Sequence, residues 1–310
     1  MHIQNILIVG DYKASIKKDL SKLEQYHILI KKLAHITEDD LNWADAYVGF
    51  EPCEQFHPNK VKWVHTFNAG VNNYLEIEGW QTSQTLMTRT VTDFGVKMAE
   101  YCLSYILRDT QQHTAFNEQQ KNKQWKAISP KPLKDITITL FGTGAIGQKM
   151  AEIFSVFGIT VHGVSNSGMK KPFFHSVTNV THSESKIADA DYVISTLPLT
   201  KSSEYLFNYT LFEKMNNTVF INLGRGKVVD TESLITALNN KHVRHAILDV
   251  FESEPLSINS KLWERDDVTI TPHISALTDI DDAIACFYET LQKIERGYQL
   301  DNKVDFSKGY

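Results

Sequence analysis

Three glycines spaced two and three residues apart stand where an apolar run meets a helical one. Phe141-Gly142-Thr143-Gly144-Ala145-Ile146-Gly147 follows Ile136–Leu140 and opens the amphipathic stretch Gln148–Phe157. A GxGxxG pattern in isolation says little. Between a strand and a helix that leads to another strand, it points to dinucleotide binding. Gly142 would allow the tight turn, Gly144 would let backbone approach a pyrophosphate, and Gly147 would let helix pack on strand. Ala145 and Ile146 belong to the same loop, and the helix that follows offers unpaired N–H groups and a positive dipole end that favour phosphate. A glycine-rich turn with no ligand is the plainer alternative, and it leaves the strand and helix on either side unexplained.

The chemistry of such a site turns on the end of the next strand. An Asp or Glu about 20 residues on would accept hydrogen bonds from the adenine ribose of NAD. Here the strand reads Val161-His162-Gly163-Val164-Ser165-Asn166-Ser167, without an acid, and Lys170 and Lys171 follow. Hydroxyl, amide and ammonium groups can hold a 2′-phosphate that a carboxylate would repel. Ser165, Asn166, Ser167 and Lys170 therefore predict a preference for NADP, with NAD still possible if the lysines are merely solvated.

Three later segments place reactive side chains just beyond apolar runs, where open α/β sheets bind ligands. Arg225 lies in Asn222-Leu223-Gly224-Arg225-Gly226. Its fork could hold a carboxylate and reach a neighbouring carbonyl oxygen; an exposed loop arginine is the bland reading. Asp249, Glu252 and Glu254 follow Ala246–Leu248, with Pro255 after Glu254. Taken by themselves they suit an acidic surface turn. His273 sits in Thr271-Pro272-His273 after Val268–Ile270, but it is one of 12 histidines. Periodicity does not choose it over His65, which also ends a predicted strand.

The elements that must carry these groups alternate along the chain. Ile6–Val9, His27–Ile30, Ala46–Phe50 and Val61–His65 read as strands, separated by charged amphipathic stretches such as Ala14–Glu24. A second series comprises Ile136–Phe141, Thr160–Val164, Tyr192–Thr196, Thr218–Asn222, His245–Val250 and Val268–Ile270. Such alternation predicts parallel sheets covered by helices. A long helix over Asp93–Arg108 separates the two series; a less regular stretch follows, with Gln119, Gln120 and Trp125, and then Pro130 and Pro132. The last helix, about Asp281–Gly297, could return to the first domain and make it discontinuous.

With 310 residues, the chain favours two domains. Its 42% hydrophobic and 22% charged residues are those of a globular protein. A net charge of -5 argues against nucleic acid or an anionic membrane as a general partner. Cys53, Cys102 and Cys286 are dispersed and odd in number, which disfavours a disulfide framework or structural zinc. The first apolar run is too short for a signal peptide, and no stretch approaches the ~20 residues of a membrane span. The expectation is a soluble, cytoplasmic chain with no metal.

In order, Asn68-Ala69-Gly70-Val71, Met98-Ala99-Glu100-Tyr101, the glycine loop and Leu197-Pro198-Leu199-Thr200 resemble the D-isomer-specific 2-hydroxyacid dehydrogenase family. Asn222–Gly226, Asp249-Val250-Phe251 with Glu254-Pro255-Leu256, and Thr271-Pro272-His273 extend that likeness. Thr88-Arg89-Thr90-Val91-Thr92-Asp93, Gln120 with Trp125, Ser165-Asn166-Ser167 and the ending Val304-Asp305 to Gly309-Tyr310 resemble its glyoxylate/hydroxypyruvate reductase A branch. The resemblance implies an α/β fold of two parallel-sheet domains: a Rossmann dinucleotide-binding domain (94–280) inserted into a flavodoxin-like substrate domain (1–93 and 281–310). It implies a homodimer built on the inserted domain and an active site in the interdomain cleft.

By the same likeness His273 is the proton donor and Glu254 its partner. Arg225 and the backbone N–H groups of Ala69 and Gly70 bind the substrate carboxylate. Leu197, Pro198, Leu199, Thr200, Leu223, Gly224 and His273 border the cofactor, and Asp249 lies near the nicotinamide carboxamide. The implied activity is NAD(P)H-dependent reduction of a small 2-oxo acid, of the glyoxylate or hydroxypyruvate type, to the D-2-hydroxy acid. An NAD-linked dehydrogenase of a larger or phosphorylated hydroxy acid is the alternative, as is a nucleotide-sensing protein like the corepressors of this fold. Asn68 and Asn72 stand where many relatives have Gly and Asp, which bears on substrate choice rather than reaction class.

Overall fold

The computed structural model describes residues 1–12 and 23–306. Of the amphipathic stretch Ala14–Glu24, all but Leu23 and Glu24 lies outside the described residues. The chain divides into two units: Met1–Thr92 with Thr278–Tyr310, and Asp93–Leu277.

In the first unit β1 (Asn5–Val9), β2 (His27–Lys31), β3 (Ala46–Gly49), β4 (Trp63–Thr66) and β5 (Leu86–Arg89) form one parallel sheet, ordered β2-β1-β3-β4-β5. That is the flavodoxin-like order. Alternate strand residues feed two cores: Ile6, Ile8, Val48 and Trp63 face one way, Leu7, Val9, Tyr47 and Val64 the other. The first core is covered by the helix Ile280–Arg296. Asp279 caps that helix by accepting from the N–H groups of Asp281 and Asp282, and Gly297, at φ 67°, ends it. Its Ile284, Phe287, Leu291 and Ile294 recur every three or four residues and lie buried on one stripe. Burying each contributes about 1.5–3 kcal/mol, so the four together outweigh the cap.

The second unit holds β6 (Thr137–Phe141), β7 (Thr160–Val164), β8 (Ser176–Thr178), β9 (Tyr192–Ser195), β10 (Thr218–Asn222), β11 (Val243–Leu248) and β12 (Val268–Ile270). All run parallel, in the order β12-β11-β10-β9-β6-β7-β8. The chain winds outward from β6 in one direction, returns, and continues from β9 in the other. This is the Rossmann arrangement, with its switch point between β6 and β9. Apolar cores fill both faces, which is why the central strands are rich in Val, Ile, Leu and Phe; of their polar residues, Thr139, Ser195, Thr218 and Asn222 are themselves buried.

Two strands escape the sequence reading. β5 and β8 lie at sheet edges, are four and three residues long, and carry threonine and serine in place of an alternating apolar pattern. The stretch read as irregular after the first long helix (Phe94–Thr110) instead contains a helix, His113–Lys121, with no buried residue. The segment leaving the glycine loop turns helical at Ala145, three residues before the expected Gln148.

Candidate active site

The glycine loop leaves β6 at the switch point. Gly142 has φ 106°, and a Cβ there would lie 2.5 Å from Thr196 Oγ1. A Cβ on Gly147 would lie 1.9 Å from the Gly142 carbonyl oxygen, so only glycine lets the helix sit this close to the turn. Gly144 differs: a Cβ there meets nothing within 4 Å, and both Gly144 and Ala145 are exposed. Gly144 is the N-cap and supplies no side-chain acceptor to the first turn of Ala145–Val156. The N–H groups of that turn, Ala145 and Ile146 among them, therefore face open space at the positive end of a helix dipole. This cradle fits the pyrophosphate of a dinucleotide.

At the end of β7, the Ser165 N–H is held by the Thr178 carbonyl at 3.0 Å. Its hydroxyl is buried with no hydrogen-bond partner among the described residues. Asn166, Ser167 and Lys170 are exposed on the same loop. The strand end itself, Val164-Ser165-Asn166-Ser167, carries no carboxylate. On the other side of the switch point, Leu197, Pro198, Leu199 and Thr200 leave β9 half-buried, pinned by the Ser203 hydroxyl donating to the Pro198 carbonyl at 2.6 Å. A Cβ on Gly224 would lie 2.4 Å from the Leu197 carbonyl oxygen, so the loops after β9 and β10 are in direct contact.

Arg225, Glu254 and His273 come from three different strand ends of the second unit. The Asn222 amide holds the Arg225 carbonyl at 3.1 Å, and Arg225 Nη1 donates to the Gly224 carbonyl at 2.7 Å. Gly226 lies on the backbone of Phe251, where a Cβ would sit 1.8 Å from the carbonyl carbon. That contact seats the arginine loop on the acidic loop. There the Phe251 N–H donates to Glu254 Oε1 at 2.9 Å, and His273 Nδ1 pairs with Glu254 Oε2 at 2.8 Å. Burial pushes the Glu254 carboxyl up. The His273 and Phe251 hydrogen bonds, with the charges of His273 and Arg225, outweigh burial and hold it below the ordinary glutamate value.

His273 has φ 54°, an uncommon conformation for a non-glycine residue, and its side chain is half exposed. Asp249 explains how the loop is held. It is fully buried, and its carboxylate accepts from Thr271 Oγ1 at 2.6 Å and from the N–H groups of Ile274 and Ser275, each at 2.8 Å. Its carbonyl takes the His273 N–H at 2.9 Å. The Asp249 side chain is buried and braces the loop that carries His273, and the Leu223 side chain packs into the core with 1% exposure. Glu252 does not join the pair; it bonds Thr231 and Tyr205.

Sequence reasoning overlooked Thr271 and Tyr101 as supports. The Tyr101 hydroxyl lies 2.6 Å from Thr271 Oγ1, linking the Phe94–Thr110 helix to the brace. Burial raises the Tyr101 phenol far above its ordinary value, so it remains protonated. The only signal was the hydroxyl type of Thr271 immediately before Pro272-His273. In the first unit, Ala69 and Gly70 follow β4 and are half-buried.

A Rossmann-ordered sheet with an open glycine loop at its switch point defines a dinucleotide-binding protein. Residues 103–275, more than half of the chain, match the family model described as D-isomer specific 2-hydroxyacid dehydrogenase, NAD binding domain. The chain belongs to the D-isomer specific 2-hydroxyacid dehydrogenases, and it is an oxidoreductase with an NAD(P)-binding domain. It is similar to a family protein from Aeromonas salmonicida, at 29% identity over 98% of this chain and 100% of that one, with a TM-score of 0.86. A Sinorhizobium meliloti NADPH-dependent glyoxylate/hydroxypyruvate reductase, solved with NADP and sulfate, matches at 25% identity, 99% and 100% coverage and TM-score 0.85. A Xanthobacter autotrophicus D-isomer specific 2-hydroxyacid dehydrogenase, solved with NADPH and MES, matches at 25% identity over 100% of both chains, TM-score 0.87. Among the described residues, no helix is long and apolar enough to cross a membrane.

Proposed function

We propose that this protein reduces a small 2-oxo acid, of glyoxylate or hydroxypyruvate size, to the D-2-hydroxy acid with NADPH. The observation that carries this reading is the 2.8 Å pairing of His273 with Glu254, in the field of Arg225, on the unit that bears the glycine loop. The first-turn N–H groups after Gly144 would hold the pyrophosphate, and Leu197–Thr200 would border the rest of the cofactor. Ser165, Asn166, Ser167 and Lys170 would receive the 2′-phosphate. The bound cofactor supplies the hydride. The NADP and NADPH complexes of the S. meliloti and X. autotrophicus proteins support the choice of nucleotide.

Glu254 is held ionised and can only accept, so His273 Nδ1 carries the shared hydrogen. Nε2–H of the imidazolium is then the acid that protonates the carbonyl oxygen as negative charge develops there, a role worth about 10²–10⁴ in rate. Glu254 stabilises the cation and fixes the ring. Arg225 binds the substrate carboxylate and adds positive potential near the developing oxyanion. On the family likeness, the Ala69 and Gly70 N–H groups are assigned to the substrate carboxylate and the unit around β1–β5 to the substrate. The working form in this reading is a cytoplasmic homodimer.

The test is a panel of 2-oxo acids assayed with NADPH and with NADH. We expect the highest kcat/KM for glyoxylate or hydroxypyruvate, and at least a roughly tenfold advantage for NADPH. Lys170→Ala should raise the KM for NADPH about tenfold and leave that for NADH unchanged, as loss of a charge-assisted phosphate contact requires. Equal use of both nucleotides overturns the NADP assignment. A better rate with phenylpyruvate or a phosphorylated oxo acid overturns the substrate class. Tight nucleotide binding without turnover overturns the enzymatic role.

A further inference from the structure

We propose that Arg89 is a positioning residue for the loop Asn68–Gly70, and that Asn302, near the C-terminal end, locks Arg89 in place. This deepens the proposed function and rests on its assignment of the substrate carboxylate to the Ala69 and Gly70 N–H groups. The argument begins with peptide planarity: in a trans peptide the N–H points opposite to the preceding C=O. The sole cis bond among the described residues is Glu254–Pro255, far from this loop. Fixing the carbonyls of residues 68 and 69 therefore aims the N–H groups of residues 69 and 70.

Both carbonyls are held from β5 and the residue after it. The Thr90 N–H, which donates to the Thr66 carbonyl at 2.9 Å, is shared with the Asn68 carbonyl at 3.3 Å, and Arg89 Nη1 donates to the Ala69 carbonyl at 3.1 Å. The Ala69 and Gly70 N–H groups consequently point away from β5, and among the described residues neither donates to a protein acceptor. Asn68 steadies the start of the loop. Its N–H donates to Thr66 Oγ1 at 3.2 Å and its amide to the Phe50 carbonyl at 3.0 Å. The guanidinium does more than orient. A charged donor on the Ala69 carbonyl polarises the Ala69–Gly70 peptide and makes the Gly70 N–H a stronger donor to an anion.

β5 is an edge strand, and its end would fray without a neighbour. The chain after the last helix supplies one. Thr88 and Lys303 form an antiparallel bridge, and the Val304 N–H donates to the Met87 carbonyl at 3.0 Å. Asn302 grips Arg89 from both sides: its carbonyl accepts the Arg89 N–H at 3.1 Å, and its amide donates to the Arg89 carbonyl at 3.0 Å. The same amide donates to Thr290 Oγ1 at 2.8 Å, within the Ile280–Arg296 helix. Thus a rigid helix, a buried amide and a guanidinium act in series on two peptide dipoles.

The experiment measures the KM for glyoxylate, the inhibition constant of oxalate, the Kd for NADPH and the melting temperature of Arg89→Ala, Arg89→Lys and Asn302→Ala. We expect Arg89→Ala to raise the glyoxylate KM and the oxalate constant together, by about 10-fold to 100-fold, with NADPH binding within twofold of wild type. Arg89→Lys should recover part of the loss, and Asn302→Ala should show a smaller change of the same kind. Should Arg89→Ala fail to fold, the other two variants carry the same test. A folded Arg89 variant with unchanged glyoxylate KM overturns the proposal. So does a uniform loss of NADPH binding, glyoxylate binding and melting temperature, the mark of a purely structural role. Wild-type turnover that Arg225→Ala impairs and the Arg89 variants do not leaves the proposed function standing and removes only this inference. A wild type that reduces no 2-oxo acid removes both.

Discussion

Two histidines stand near the carboxyl ends of parallel strands, His65 within β4 and His273 just beyond β12, and their surroundings are opposite. His65 is fully buried, with Trp63, Phe67 and Phe287 around its ring at centroid distances of 5.8, 6.1 and 5.8 Å. Its polar contacts are hydroxyls: Thr88 Oγ1 at 2.8 Å and Thr90 Oγ1 at 3.4 Å. Burial depresses its pKa to about 3, since no carboxylate compensates a proton there. His273 is half exposed and has a carboxylate at 2.8 Å. The difference teaches that strand-end position does not make a histidine an acid. A hydroxyl partner in a dry core keeps the ring neutral and makes it a packing group, whereas an ionised partner at the surface lets it carry and release a proton.

The strongest way to break this contrast is to remove each ring. His273→Ala should lower turnover about 10²- to 10⁴-fold while the Kd for NADPH stays within twofold. His65→Phe, an apolar ring of similar shape, should leave kcat/KM within about twofold, because it stays in the core and gives up only the contacts to the Thr88 and Thr90 hydroxyls. Similar kinetic losses in both variants would erase the distinction.

A smaller effect is the acid sensitivity of stability. Below the unfolded histidine value of about 6.5, the unfolded chain takes up a proton that the folded chain refuses until about pH 3. The stabilising contribution is therefore fully present above about pH 6.5 and declines by about 1.4 kcal/mol for each pH unit below it. Urea unfolding at pH 7, 6 and 5 should show that slope superimposed on the carboxylate titrations, and His65→Phe should remove it. An identical slope in wild type and variant would mean that other groups carry the acid response.

The smallest expected effect sharpens the other half of the comparison. Glu254→Gln keeps an acceptor beside His273 but removes its charge, so it should lower kcat/KM about tenfold while the Kd for NADPH stays within twofold. An unchanged kcat/KM would mean that the charge of Glu254 does not contribute to the step.

Local sequence determined a good deal of this. Buried central strands must be apolar on both faces, so β1, β3, β6, β7, β9 and β10 could be read from runs such as Ala46–Phe50 and Thr218–Asn222. The glycine loop was legible because a tight turn, an open backbone and a close helix each demand glycine at a fixed offset. The two long helices were legible from their apolar stripes. Edge strands β5 and β8 were not, since one of their sides lacks a strand neighbour and their residues need not be uniformly apolar.

Residue types and spacing did not say which acid meets His273; the family likeness pointed to Glu254, and the physical reason lies in the tertiary structure. Asp249, Glu252 and Glu254 lie within six residues of one another, and nothing local separates them. The sheet order buries the first, leaves the second at the surface and turns the third toward the loop after β12. The role of Arg89 was hidden for the same reason: its partners Ala69 and Asn302 are 20 and 213 residues away. Spacing along a chain records what each segment must bury, but an encounter between polar groups from distant segments depends on which strands become neighbours, and only the folded backbone sets that.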